Sequence, residues 1–168
     1  PVATAEGDDA APRFNPQILH VRDKKATGTN AGSSTGGSAV TRALNDVVTN
    51  RITGASVASN QITLPAGTYD FDAFAPASQS NTHVAYFYNV TDAATPDELV
   101  GSTGHCDPGG SYATTLSTVK GRITIAATKV FEFRHVCAST KATDGLGRAA
   151  NLLSLPEIYS QAMITKVA

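Results

Sequence analysis

The chain has 168 residues, enough for one domain that buries roughly 70% of its unfolded surface without a metal or disulfide scaffold. Its 13 basic and 14 acidic residues give a net charge of -1, which disfavours a nucleic-acid or anionic-membrane binder. Only 16% of residues are charged, so Thr, Ser, Ala and Asn give a polar, weakly charged surface suited to a particle component or a secreted module.

Residues 1–16 are rich in Ala, Pro, Asp and Glu and hold too little apolar surface to order themselves. They read as a flexible N-terminal arm. Such an arm is either a loose end or a docking segment, with Phe14 as anchor beside Arg13. The sequence starts at Pro1 rather than Met, which points to a trimmed or processed start. No signal peptide is visible, and no apolar run approaches the ~20 residues of a membrane span.

Gln17 to Arg22 reads as the first strand. Thr27 to Ser38 is a Gly/Ser/Thr loop, long enough to be mobile or held by a partner. From Ala39 to Asn50, Leu44, Val47 and Val48 hint at helical spacing. The β-branched Val40, Thr41, Val47, Val48 and Thr49 favour strand or irregular turn instead. Gln61 to Leu64 is a strand ended by Pro65-Ala66-Gly67. Thr68 to Ala75 alternates, with Tyr69, Phe71 and Ala73 on one face and Asp70 and Asp72 on the other. His83 to Val90 is aromatic on both faces, as a central strand would be. Leu99 to Gly101 pairs briefly, and Cys106 to Ser111 is a turn or loop. Tyr112 to Val119 and Gly121 to Ala126 read as two strands around a tight turn. Lys129 to Cys137 places Phe131, Phe133, His135 and Cys137 on one face, and Glu157 to Val167 closes the chain. Eight to ten short strands without an amphipathic helix favour an all-β antiparallel sandwich or jelly roll over residues 17–168.

The run Gln61-Ile62-Thr63-Leu64-Pro65-Ala66-Gly67-Thr68-Tyr69-Asp70-Phe71 resembles a strand of the tumour-necrosis-factor-like and complement-head-like jelly rolls. A wider set is similar to a family of tailed-phage and prophage virion proteins. It comprises His20 to Asp23, Leu44 to Asn50, Tyr88 to Asp92, Ala126 to Glu132 and Ile164 to Val167. The 106–111 loop and the Leu152 to Pro156 segment have no counterpart in that pattern. The resemblance implies a homotrimer packed around an axis through one sheet, with Tyr86, Tyr88, Tyr159 and Met163 as candidate interface residues. It also implies a virion location, on the capsid surface or tail. There the chain would decorate or cement the shell, with Arg13 and Phe14 as a candidate arm for the major capsid protein or another virion protein. The alternative is a tail-fibre module that recognises a host glycan or protein through loops 28–37, 106–111 and 141–151, where Tyr112 is the one bordering aromatic.

Catalytic and cofactor signals are weak. No nucleophile elbow, phosphate loop or zinc-type pair occurs, so no catalytic, cofactor or metal residues are assigned. His105, Cys106 and Asp107 are consecutive, and consecutive strand positions cannot all face one ion. Asp70 and Asp72 lie about 7 Å apart by strand rise, but a solvated strand face explains them without hydrolysis. Cys106 and Cys137 are either buried thiols or a bridge pinning the 105–111 loop.

Overall fold

A computed structural model describes residues 17–109 and 113–168. Eleven strands form two antiparallel sheets. The first has the order β3 (Asp46–Asn50), β1 (Gln17–Lys25), β11 (Glu157–Lys166), β6 (Gly67–Ser78) and β9 (Thr114–Ile125). The second has the order β4 (Ser56–Ala58), β5 (Gln61–Leu64), β10 (Lys129–Cys137), β7 (Asn81–Asn89) and β8 (Gly104–Cys106), with β2 (Ala39–Thr41) also on β10. No α-helix occurs among the described residues, and none is long and apolar enough to cross a membrane.

Period-2 alternation sets the two faces. On β6, Tyr69, Phe71, Ala73 and Ala75 are buried; on β10, Phe131, Phe133, His135 and Cys137 are. Between the sheets, Phe71 meets Phe87 edge-on at 4.8 Å and Phe131 at 5.8 Å, while Phe87 stacks on Phe133 at 4.6 Å. Each buried ring contributes roughly 1.5–3 kcal/mol of hydrophobic stabilisation.

Two readings of the sequence change, and the 39–50 stretch is strand and irregular turn as expected. The tight turn expected near Lys120 does not exist, because β9 runs unbroken through Gly121. Gly121 is an inward position over which the short 3-10 turn Asp97–Leu99 passes, and a Cβ there would collide with the Glu98 carbonyl oxygen. The 27–38 loop is held by its own subunit. Ala31 N donates to Gly147 O at 3.0 Å, Leu146 N to Gly32 O at 3.0 Å, and Ser34 bridges to Lys141. The 39–50 stretch forms two short strands on different sheets, so Arg42 between them enters the interior.

Candidate interaction surfaces

The outward face of the first sheet is built in cross-strand rows. One runs Thr49, His20, Met163, Asp72, Lys120, and the next runs Ile18, Thr165, Asp70, Arg122. Met163 is 39% exposed on β11, the middle strand of five. Leu116 on β9 is 51% exposed on the same face, and Phe74 and Ile18 are half-buried there. A shallow cavity of about 380 Å³ lies against Met163, Thr165 and Gly121. Each acid of the Asp70–Asp72 pair has a cation: Arg122 Nη2 reaches Asp70 at 2.7 Å and Lys120 Nζ reaches Asp72 at 2.9 Å. Arg122 holds the Asp70 carboxyl below its ordinary range.

The outward face of the second sheet carries Val84, Tyr86 and Tyr88 on β7. The Arg134 guanidinium lies 3.6 Å from the Tyr88 ring centre. Glu132 fixes that guanidinium at 2.7 Å and also accepts from Gln61 Nε2 at 2.9 Å and Thr41 Oγ1 at 3.1 Å. Burial pushes the Glu132 carboxyl up, and the hydrogen bonds from Gln61, Arg134 and Thr41 outweigh it and hold it low. Tyr88 is therefore partnered within its own subunit.

The four candidate interface residues do not share a surface. Tyr86 and Tyr88 lie on one outer face of the sandwich and Met163 on the opposite one. Tyr159 is only 4% exposed. Its hydroxyl donates to Thr29 O at 2.7 Å, tying down the 27–38 loop, and burial pushes it up to about 12. It is an interior residue because the register of β11 shifts near it, leaving Tyr159 and Ser160 both buried.

The bridge considered for Cys106 and Cys137 is not formed; both thiols are free and buried. β8 and β10 flank β7 on opposite sides, with Cys106 opposite Asn81 and Cys137 opposite His83. Two strand spacings put their Cα atoms about 10 Å apart, beyond the roughly 7 Å a disulfide spans. Cys106 Sγ instead accepts from Ser80 N at 3.2 Å. Among the described residues no group of three or more His, Cys, Asp or Glu could hold a metal. Arg13, Phe14 and Tyr112 lie outside the described residues.

Sequence reasoning missed a buried polar centre at the same end of the sandwich. His83 Nδ1 lies 2.9 Å from His135 Nε2, and His83 Nε2 lies 2.8 Å from Thr115 Oγ1. Thr115 spends its own proton on His105 O at 3.1 Å, so it accepts from His83. The network therefore assigns Nε2–H to both rings: His135 donates to His83, and His83 to Thr115. Nδ1 of His135 is left without a partner. Arg42 is also buried, and burial lowers it to about 10 despite the Asp23 charge. Alternation already placed His135 and Cys137 inward, but nothing local pairs His135 with a histidine 52 positions away.

That end also displays three leucines, Leu152, Leu153 and Leu155, with Leu153 90% exposed. Backbone φ is positive at Asn151, Leu153 and Ser154, so the turn is tight. Its root is clasped by the Glu157 carboxylate, which accepts from the amides of Gly28, Ala150 and Asn151 at 3.1, 3.1 and 2.8 Å. Those amides hold the carboxyl below its ordinary range. The signal was the unmatched Leu152–Pro156 segment itself.

No protein-family model matches the chain, and no curated protein matches it. Solved structures do. Murine APRIL superposes with a TM-score of 0.57 at 9% identity, over 91% of this chain and 100% of that one. The globular domain of zebrafish complement 1qA gives 0.54 at 10% identity, over 92% and 98%. The vertex protein P5 of phage PRD1 gives 0.53 at 11% identity, over 92% and 99%. Likeness at such identity speaks for the fold alone. The chain is an all-β antiparallel jelly roll of the tumour-necrosis-factor-like and complement-head-like kind.

Proposed function

We propose that the chain is a non-enzymatic structural protein of a phage virion. It forms a homotrimer through the outward face of the β3-β1-β11-β6-β9 sheet and cements the shell by adhering to capsid protein. One observation carries the reading: Met163 stands exposed on the middle strand of that sheet, with half-buried Phe74 and Ile18 diagonal to it on the adjacent strands. Such a patch favours burial against another copy, whereas Tyr88 on the other face is already covered by Arg134. The fold shared with the PRD1 vertex protein supports a virion setting. The ion pairs that engage Asp70 and Asp72 support a role without catalysis. A trimer adhering at several capsomer contacts would sum weak contacts through avidity. Mass photometry on the purified chain, followed by mixing with empty capsids, tests this. Trimers that bind capsids are expected; a protein that stays single at high concentration sinks the proposal.

A second reading, a receptor-binding tip, draws on the polarity of the sandwich. Gln17 and Lys166 pair at one end, while the leucine turn stands at the other, about 30 Å away by the rise of nine-residue β1. Attachment through the terminal end would present the turn outward. Trimers that ignore capsids but bind host cells, and lose that binding on Leu153→Asp, favour this reading.

A further inference from the structure

The turn from Leu152 to Leu155 carries two costs at once. Its leucines, Leu152, Leu153 and Leu155, are all more than half exposed. The backbone φ is 49° at Leu153 and 58° at Ser154, and Leu155 N donates to Leu152 O at 2.9 Å. Two positive φ values closed by that bond are the signs of a type I′ turn, which glycine and asparagine fill readily and leucine does not. The apex leucine is thus unfavourable both in conformation and in solvation. Strain kept at a surface position points to a use for the side chain.

The turn is also stiff. Glu157 clasps its root, Thr27 Oγ1 donates to Leu155 O, and Gly28 lies against Asn151. Leu152 and Leu155 are held side by side by the bond that closes the turn, with Leu153 at the apex, so the three form one projecting apolar cap.

Charge around the root is one-sided. Lys24 and Lys25 end β1 opposite Ile158 and Glu157, and Arg148 lies three residues before Asn151. Lys24 is exposed, and the side chains of Lys25 and Arg148 reach solvent. The acids beside them do not: Asp23, Asp144 and Glu157 are buried. The net charge of -1 is an average over the whole chain and hides this placement. Leucines flanked by cations, with the carboxylates withdrawn, match the boundary of an anionic bilayer, where phosphates lie above acyl chains. An apolar protein pocket would take the leucines but has no need of the cations.

We propose that the Leu152–Leu155 turn docks on an anionic lipid surface. Leu153 enters the acyl boundary while Lys24, Lys25 and Arg148 meet headgroup phosphates. This rests on the tip reading above, in which the turn faces outward, and names its partner. Several copies presenting their turns together sum contacts that are weak singly.

Vesicle flotation with the full chain tests this. Vesicles of phosphatidylcholine with phosphatidylglycerol are expected to carry the protein up a density gradient, and phosphatidylcholine alone roughly tenfold less of it. Leu153→Asn should move two readouts in opposite directions. Asparagine accepts the positive φ, so the melting temperature should rise, while flotation should fall roughly tenfold. Lys24→Glu should weaken flotation more at low salt than at high salt. Equal flotation on uncharged vesicles, or flotation that Leu153→Asn leaves unchanged, overturns the proposal. Host cells bound through Leu153 without any vesicle binding overturn the lipid and leave the tip reading standing, with a protein or glycan receptor in its place. Binding to neither overturns both.

Discussion

Acidification from neutral pH should destabilise this jelly roll through its histidines before its carboxylates titrate. Burial, the Arg42 charge and His83 push His135 down to about 3 from an ordinary 6.5. Burial, then Arg42 and His105, also lowers His83. The hydrogen-bond chain gives the structural cause. His83 has both nitrogens engaged, so a further proton must break a bond. A proton on Nδ1 of His135 would sit buried without an acceptor. The sign follows from linkage. A histidine kept neutral in the folded state takes up its proton only on unfolding, so acid favours the unfolded chain. The associated stability is complete above the unfolded value of 6.5 and is lost as pH falls from there toward the folded value. At 1.36 kcal/mol per unit, His135 alone should cost about 2 kcal/mol between pH 7 and pH 5. The lowered carboxyls of Asp46 and Asp70, paired with arginines, and of Glu157, clasped by amides, contribute losses only below their ordinary 3.8 and 4.5. The window above them therefore isolates the histidines. Urea denaturation at fixed protein concentration across that window should show stability falling with pH, and His135→Gln should flatten the slope by about one proton. An unchanged slope in that variant, or a flat wild-type profile, would refute the assignment of a neutral buried pair.

Gly121→Ala forces a methyl group against the Glu98 carbonyl oxygen and should cost about 1–3 kcal/mol in urea denaturation, with the Asp97–Leu99 turn displaced from β9. Glu157→Gln removes the charged acceptor for three backbone amides, so limited proteolysis should cut faster at Leu152 to Leu155 while the core strands stay intact. Because Cys106 and Cys137 are free, the melting temperature should be the same with and without reductant; a drop on reduction would show a bridge.

Much of the sandwich was legible because its strands follow a rule that needs only neighbours in sequence. Burial alternates from Phe131 to Cys137, and the predicted bounds Lys129 to Cys137 are those of β10. The Gln61 to Leu64 strand likewise matches β5. The misreadings occur where a distant group decides a local choice. Gly121 looks like a turn in sequence, yet it is glycine because Glu98 crosses above it. Tyr159 looks like a spare aromatic, yet a register shift in β11 turns it inward to hold Thr29. The interaction surfaces were the least legible for the same reason. Tyr86, Tyr88 and Met163 are all outward residues on alternating strands, and only sheet order shows that they face opposite ways. That order has a consequence for assembly. A threefold axis can be lined by one outer face of the sandwich, so the proposed contact through Met163 would leave Tyr88 and Arg134 at the periphery. It would also leave β9, the sheet's long free edge, next to whatever lies against that face, and an edge in that position must be paired or covered.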